Sequence, residues 1–252
     1  MKHRPDAPDG FFEAEAAGLA WLGEATSTGG ARVARVLEVA PGRIVLESVP
    51  EARPAPAAAR TFGAALARTH AAGADAFGAP PAGWHGASFI GRRRQAATPT
   101  DSWGAFYAEQ RVRPFAYLAR EARALTDDEL DVVETACDAV AAGALDDDAP
   151  PARLHGDLWS GNVLFGVDGV VLIDPAAHGG HPETDLAMLQ LFGCPHLEEV
   201  LAGYQAVSPL REGWRERVPL HQLHPLAVHA AGHGRSYGRA LVEAAEAVLR
   251  LG

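Results

Sequence analysis

The spacing of three polar residues along one short segment constrains the fold of this chain more than any other feature. Asp157 follows a His-Gly dipeptide, Asn162 comes five residues later, and Asp174 comes twelve residues after Asn162. Between Asn162 and Asp174, two apolar runs are separated by a Gly-Val-Asp-Gly turn at residues 166–169, which predicts a β-hairpin. The chain therefore places an aspartate on a loop before the hairpin, an asparagine at its start and a second aspartate at its end.

These three side chains match the requirements of phosphoryl transfer from ATP. A carboxylate must accept the proton of the attacking hydroxyl, and oxygen ligands must hold Mg²⁺ against the phosphates. The order of a catalytic Asp, an Asn and a metal-binding Asp is also that of the general kinase pattern. We therefore predict ATP and Mg²⁺ as cofactors, with Asp157 as the catalytic base and Asn162 and Asp174 as metal ligands. His155 is expected to anchor the loop rather than to react.

The remainder of the sequence predicts a small β-containing front and a larger helical back. Apolar residues recur at helical spacing in residues 11–23, and two short strands at residues 33–39 and 43–49 flank a Pro-Gly turn. After the Pro/Ala-rich stretch at residues 51–60, the pattern is mostly helical. Helices are predicted at residues 57–72, 102–125, 126–142, 183–191, 197–206, 214–232 and 236–251. The predicted fold class is therefore α+β.

Composition and charge exclude several classes of protein. The formal net charge is −10, so neither a dedicated nucleic-acid binder nor a protein docked on anionic membranes is expected. No apolar run reaches transmembrane length, and the charged first residues lack the apolar region of a signal peptide. The two cysteines, Cys137 and Cys194, lie far apart and without metal spacing, which suits a reducing, cytoplasmic compartment.

Several strings of residues resemble the fructosamine (ketosamine) kinase family, which is similar to aminoglycoside phosphotransferases and to the wider protein-kinase-like superfamily. The strings are LHGDLWSGNVLF at residues 154–165, IDPA at residues 173–176 and GHPETDLAMLQLFG at residues 180–193. The first of them is the most specific. Weaker similarity in the middle and C-terminal segments extends the resemblance over nearly the whole chain.

The resemblance implies a bilobal protein-kinase-like fold, with an incomplete N-lobe at residues 1–50 and a mostly helical C-lobe at residues 51–252. The implied reaction is the ATP-dependent phosphorylation of a sugar hydroxyl in a ketosamine, either a fructosamine or a ribulosamine. The ketosamine would be a small molecule or attached to a protein, and the consequence would be removal of early glycation adducts. The protein would act as a monomer or a homodimer.

The resemblance also assigns residues of the front. Lys2 matches the lysine that contacts the ATP phosphates, and Glu15 matches its partner on the following helix, with Glu13 as the alternative partner. Backbone groups near Glu47 and Val49 are expected to bind adenine at the hinge between the lobes. On this alignment the first strands of the N-lobe are absent, through either a misplaced start or a natural truncation that leaves Lys2 at a frayed terminus.

Four further residues are candidates near the reacting groups. Trp159 lies two residues after Asp157, where its ring could stack on a sugar, although core packing is equally compatible with its position. His178 and His181 could contact substrate, with exposed loop histidines as the alternative. Asp185 resembles a family position that braces the catalytic loop through backbone N–H groups, against the alternative of a solvent-facing residue at a helix start.

Two other functions remain compatible with the sequence. An aminoglycoside kinase or other small-molecule kinase would suit the acidic surface, whereas Trp-Ser-Gly at residues 159–161 favours ketosamines. The second alternative is a weakly active or inactive pseudokinase that binds a nucleotide or another ligand. The absence of the first N-lobe strands favours it, whereas the presence of Asp157, Asn162 and Asp174 argues against it. The eleven histidines show no HExxH or similar spacing, so a zinc site is not expected.

Overall fold

The computed structural model describes residues 1–251 and contains a small β-rich front and a large helical back. The front begins with strand β1 (Lys2–His3) and helix α1 (Phe11–Glu24), followed by the short strand β2 (Arg32–Val33). Strands β3 (Val36–Ala40) and β4 (Arg43–Leu46) pair antiparallel across the predicted Pro-Gly turn. Because β1 pairs with the other side of β4, the order of this sheet is β1-β4-β3.

The helical back follows the predicted order of helices with one interruption. Its helices are α2 (Pro56–Ala71), α3 (Trp103–Phe106), α4 (Arg113–Glu121), α5 (Asp127–Ala141), α6 (Pro182–Phe192), α7 (Leu197–Gln205), α8 (Val218–His233) and α9 (Arg235–Leu249). A π-helical stretch, Tyr107–Val112, joins α3 to α4, so the single helix predicted at residues 102–125 is divided. Thr126 caps α5 in the predicted capping box with Glu129.

Three antiparallel strand pairs interrupt the helices. The strands are β5 (Ser88–Ile90), β6 (Arg93–Gln95), β7 (Ala152–Leu154), β8 (Val163–Gly166), β9 (Gly169–Leu172) and β10 (His178–Gly180). The β8–β9 hairpin confirms the prediction, whereas the β5–β6 and β7–β10 pairs were not predicted. The β7–β10 pair places the segment that follows Asp174 beside the strand that leads into Asp157.

The strand predicted at residues 33–39 is divided between two sheets. Its start, β2, runs parallel to β9, while its remainder, β3, pairs with β4. The Ala34 backbone N–H donates to the Leu172 carbonyl oxygen at 2.9 Å, which extends the parallel pairing by one residue. A register shift at Val36–Glu38 then redirects the chain into the front sheet. The front is therefore hydrogen-bonded to the hairpin between Asn162 and Asp174.

Two buried clusters hold the back together. One joins α3, α4, α5, α8 and α9, and the other lies between α2, α7 and the β8–β9 hairpin. Helices α2 and α7 cross closely, since a Cβ added at Gly63 would lie 1.9 Å from the Val200 carbonyl oxygen. A Cβ added at Gly203 would lie equally close, 1.9 Å, to the Arg60 carbonyl oxygen. Only glycine permits this approach of the two backbones.

The segment predicted to link the two parts is attached to strand β8. The Ala52 backbone N–H donates to the Phe165 carbonyl oxygen at 2.7 Å, and Glu51 forms an isolated antiparallel bridge with Gly166. The α+β class is confirmed, and the division into residues 1–50 and 51–252 stays a prediction. Within residues 1–251, none of the helices combines the length and the apolar character needed to cross a membrane.

Candidate active site

A carboxylate on helix α6 holds the loop that carries Asp157. The two oxygens of Asp185 accept hydrogen bonds from the backbone N–H groups of His155, at 2.8 Å, and Gly156, at 3.0 Å. Gly156 has a φ of +79°, and a Cβ added there would lie 2.3 Å from the Ala176 carbonyl oxygen. The loop therefore needs glycine at this position. The hydrogen bonds from its backbone N–H groups to Asp185 are the contact that was predicted for this aspartate.

Asp185 is almost fully buried and lies against His70 of helix α2. His70 Nε2 is 3.2 Å from Asp185 Oδ2, and His70 Nδ1 is 2.9 Å from the Tyr204 hydroxyl. Burial alone would raise the pKa of Asp185, but the hydrogen bonds from His70 and from the His155 backbone hold that pKa below its ordinary value. Asp185 is therefore ionised and can brace the loop. Sequence reasoning missed His70 because this contact joins helices 115 residues apart.

The ring of His155 connects the loop to the end of strand β9. Its Nδ1 accepts a hydrogen bond from the Asp157 backbone N–H at 3.2 Å, and its Nε2 lies 2.8 Å from the Ile173 carbonyl oxygen. These contacts fit the neutral ring with its proton on Nε2, and burial lowers the pKa of His155, which favours that neutral form. The geometry suits an anchoring role and leaves no free ring nitrogen for chemistry.

Asn162 links Asp157 to Asp174 across the ends of the β8–β9 hairpin. Its Nδ2 lies 2.8 Å from the Asp157 backbone oxygen, 3.3 Å from Asp157 Oδ2 and 3.4 Å from the Asp174 backbone oxygen. Burial raises the pKa of Asp157 to about 7, against the lowering effect of the Asn162 hydrogen bond. Asp174 has a φ of +54°, a conformation that non-glycine residues adopt where the surrounding structure enforces it.

Lys2 faces these residues from the front sheet. Its Nζ lies 2.7 Å from Glu15 Oε1, and it also forms an ion pair with Asp174. The structure therefore favours Glu15 over Glu13 as the partner of this lysine. Lys2 is paired with Ile44 in the β1–β4 ladder, so its backbone is held in a sheet rather than frayed. Burial lowers the pKa of Lys2, against the opposing effect of Glu15.

Two of the predicted residues of the back and two of the front line one cleft between these parts of the molecule. Its lining includes Lys2, Glu15, Asp157 and Asp174, together with the aromatic residues Phe11, Trp84 and Phe89. Among residues 1–251, Asp174 Oδ1 is buried and has no hydrogen-bond donor of good geometry, although Lys2 lies beside it. Carboxylate and amide oxygens are ligands that Mg²⁺ prefers, and the Asn162 amide group lies beside Asp174, with Nδ2 3.4 Å from the Asp174 backbone oxygen. Asn162 and Asp174 would therefore fit a magnesium ion.

Phe11, Trp84 and Phe89 form a wall of this cleft that sequence reasoning missed. The rings of Phe11 and Phe89 meet edge to face with centroids 5.3 Å apart. Trp84 lies beside Gly10, where an added Cβ would be 3.9 Å from the indole ring. Phe11 begins α1, Phe89 lies in β5 and Trp84 lies in the loop before it, so no local pattern connects them.

His178 and His181 are buried outside this cleft. His178 Nδ1 lies 2.8 Å from the Ala176 carbonyl oxygen, and its ring packs against Phe106 with centroids 5.7 Å apart. His181 caps helix α6, where its Nδ1 accepts a hydrogen bond from the Glu183 backbone N–H at 3.2 Å. The predicted substrate contacts of both histidines are therefore not supported, because pairing of β10 with β7 and the start of α6 enclose the two rings.

His181, Glu183 and His221 come close enough together to resemble a metal site. His181 Nδ1 accepts a hydrogen bond, which places the ring proton on Nε2, 3.1 Å from Asp147 Oδ1. His221 Nε2 lies 3.4 Å from Glu183 Oε2, and Arg217 Nη2 lies 2.6 Å from Glu183 Oε1. A metal-bound histidine donates its other ring N–H, and His181 Nδ1 does the opposite. Hydrogen bonding therefore accounts for this cluster.

Trp159, Glu47 and Val49 lie outside the lining of the cleft, as does the buried Asn162. Trp159 is 42% exposed, and its indole covers Gly161, where an added Cβ would lie 2.3 Å from the ring. Glu47 pairs through its side chain with Arg32 at 3.1 Å, and Val49 packs against strand β8. Sugar stacking by Trp159 and adenine binding by the backbone near Glu47 and Val49 stay predictions.

Comparisons with known proteins agree with this geometry. The sequence model of the family described as fructosamine kinase matches residues 1–250. A "Probable ketoamine kinase" of Enterococcus faecium is 33% identical over 239 residues, which cover 94% of this chain and 83% of the relative. A shorter match to a "Probable ketoamine kinase" of Klebsiella aerogenes is 39% identical and covers 58% of this chain and 48% of the relative.

Solved structures show the same similarity. The crystal structure of a "putative fructosamine-3-kinase" from Thermobifida fusca is 49% identical with a TM-score of 0.89, covering 97% of this chain and 82% of that chain. A choline/ethanolamine kinase family protein from Mesorhizobium loti is 18% identical with a TM-score of 0.57, covering 94% of this chain and 79% of that chain. The second similarity concerns the kinase-like fold alone.

Proposed function

Because the chain belongs to the fructosamine kinase family, we propose that it transfers the γ-phosphoryl group of ATP to a sugar hydroxyl of a fructosamine or a ribulosamine. It is a phosphotransferase that uses an alcohol group as acceptor, as a ketosamine kinase does. One observation carries the proposal: Lys2, Asp157 and Asp174 line a single cleft, and the buried Asn162 contacts both Asp157 and the backbone of Asp174.

Asp157 is the proton acceptor in this proposal. The attacking sugar hydroxyl donates a hydrogen bond to its carboxylate and transfers the proton as the bond to phosphorus forms. A pKa raised by burial to about 7 suits this task, because the carboxylate is then a stronger base than an ordinary aspartate and its pKa lies near neutral pH. The Asp185 brace and the His155 anchor hold the backbone that aims this carboxylate.

Asn162 and Asp174 would hold the magnesium ion, and Lys2 would contact the phosphates. Mg²⁺, when bound, supplies positive charge that offsets the charge on the transferring phosphoryl group. Lys2 is aimed into the cleft by its ladder position opposite Ile44 and by Glu15. Its present ion pair with Asp174 leaves the ammonium group beside the place where the phosphates would lie.

The biological consequence would be deglycation of a small or protein-bound ketosamine in the cytoplasm, by a monomer or a homodimer. In this proposal, phosphorylation would be the step that marks an early glycation adduct for removal. The acidic net charge of −10 supports a small-molecule or protein substrate rather than a nucleic acid.

The test is an ATP-consumption assay on a panel of fructosamines, ribulosamines and aminoglycosides, with Asp157→Asn as the matched inactive control. Wild-type protein should consume ATP only with ketosamines, and the control should lose most of that turnover. Turnover of aminoglycosides alone would replace the proposal with the aminoglycoside kinase alternative. Absence of turnover by the folded protein would identify a pseudokinase instead, and the absence of thermal stabilisation by Mg-ATP would mean that its ligand is not this nucleotide.

A further inference from the structure

We propose that the outer part of the cleft binds the amine-derived part of the acceptor and selects amines that carry a carboxylate group. The substrates would then be ketosamines of free amino acids or of other carboxylate-bearing amines. This inference rests on the proposed function, because it assigns a place in the same cleft to the half of the ketosamine that is not phosphorylated.

The aromatic wall defines where that half lies. Trp84, Phe11 and Phe89 line the same cleft as Asp157, on the side formed by the start of α1 and the β5–β6 hairpin. The hinge side of the molecule, around Val49, contributes nothing to this lining. A sugar hydroxyl at Asp157 therefore leaves its amine substituent next to the aromatic wall, where C–H groups can pack on the rings.

Two arginines stand at the mouth of the cleft beyond this wall. Arg4 lines the cleft with Asp157 and also a neighbouring groove, and Arg92 lines that groove together with Arg4. The Arg4 guanidinium lies 5.8 Å from the centre of the Phe11 ring, and Arg92 is an exposed residue in the turn between β5 and β6. The two cations therefore approach the mouth from opposite elements, one from the front and one from the back.

The guanidinium groups of these two arginines form no ion pair with the described residues, 1–251. Among residues 1–251, neither Arg4 nor Arg92 has an ion-pair partner within 4.0 Å, although the chain has 32 acidic residues against 22 basic ones. One carboxylate, Asp6, lines the groove without pairing with either arginine. A guanidinium binds a carboxylate through two parallel hydrogen bonds, so the mouth suits an anionic acceptor and repels a polycationic one.

The experiment compares kcat/KM for the fructosamine of glycine with kcat/KM for the fructosamine of glycine methyl ester. Wild-type protein should prefer the free acid by about 5-fold, a modest factor because the arginines are exposed, and added salt should reduce it. Arg92→Ala and the Arg4→Ala/Arg92→Ala double variant should lower turnover of the acid and bring the ratio towards 1. Arg239→Ala, which removes an exposed charge on α9, should leave the ratio unchanged.

Equal turnover of the acid and the ester by wild-type protein would overturn the inference and leave the proposed function intact. A preference for the acid that survives in the double variant would also overturn it, because the selecting charge would lie elsewhere. Failure to phosphorylate either compound, together with turnover of a non-ketosamine on the panel, would overturn both proposals. The wild-type comparison needs no variant, so it stands even if a substitution impairs folding.

Discussion

Replacing Asp157 by Asn should make the folded protein more stable at high pH while removing most of its turnover. Burial raises the pKa of Asp157 from an ordinary value of 3.8 to about 7, so the folded state binds this proton more tightly than the unfolded state does. The wild-type protein therefore loses stability as pH rises from about 4 to about 7. A shift of about three pKa units, at about 1.4 kcal/mol each, corresponds to a loss of about 4 kcal/mol in the free energy of unfolding. This figure is an upper bound, because Asp157 is only part-buried.

The assay is urea unfolding of wild type and Asp157→Asn at pH 5 and pH 8. The neutral amide keeps an oxygen that can accept the Asn162 hydrogen bond, and its stability advantage should grow by about 2–3 kcal/mol between the two pH values. The control is Asp168→Asn, in the exposed turn of the β8–β9 hairpin. It should change the free energy of unfolding by no more than about 0.5 kcal/mol at either pH. If the difference in unfolding free energy between Asp157→Asn and wild type is the same at both pH values, burial does not raise the pKa of Asp157 and the reasoning is refuted.

Three further substitutions test separate parts of the structure. Asp174→Ala should remove Mg²⁺-dependent ATP binding, and a thermal shift with Mg-ATP that persists at ordinary magnesium levels would place the metal elsewhere. Asp185→Ala leaves two buried backbone N–H groups unpaired and should lower the free energy of unfolding by about 3–5 kcal/mol. A loss below about 1 kcal/mol would mean that the loop does not need this brace. Gly63→Val drives a side chain into the Val200 carbonyl and should cost about 3 kcal/mol or more in urea unfolding, whereas Ala57→Val on the exposed side of α2 should be nearly neutral. Similar values for these last two variants would contradict the close crossing of α2 and α7.

The features that could be predicted from the sequence depend on residues close together in the chain. The β8–β9 hairpin follows from two apolar runs around a Gly-rich turn. The capping box of α5 follows from Thr126 and Glu129, three residues apart. The proximity of Asn162 to Asp174 also follows, because a hairpin brings its two ends together, and Asp157 lies only five residues before Asn162.

The features that could not be predicted depend on pairing between distant segments. His178 was predicted either to contact substrate or to lie exposed on a loop, but its segment pairs with β7 and buries the ring. The contact between His70 and Asp185 joins two helices whose own patterns indicate only which faces are apolar. Trp84 lies in an irregular loop without periodicity, so its place in the cleft is set by the packing of α1 on β5.

The attachment of residues 51–52 to strand β8 connects the start of the helical back directly to the hairpin beside the candidate site. Phe165, whose carbonyl receives the Ala52 hydrogen bond, lies three residues beyond Asn162 on the same stretch of chain. The chain entering the helical back and the strand that begins beside Asn162 are therefore fixed to each other by backbone hydrogen bonds, so the position of Asn162 is tied to that of residues 51–52.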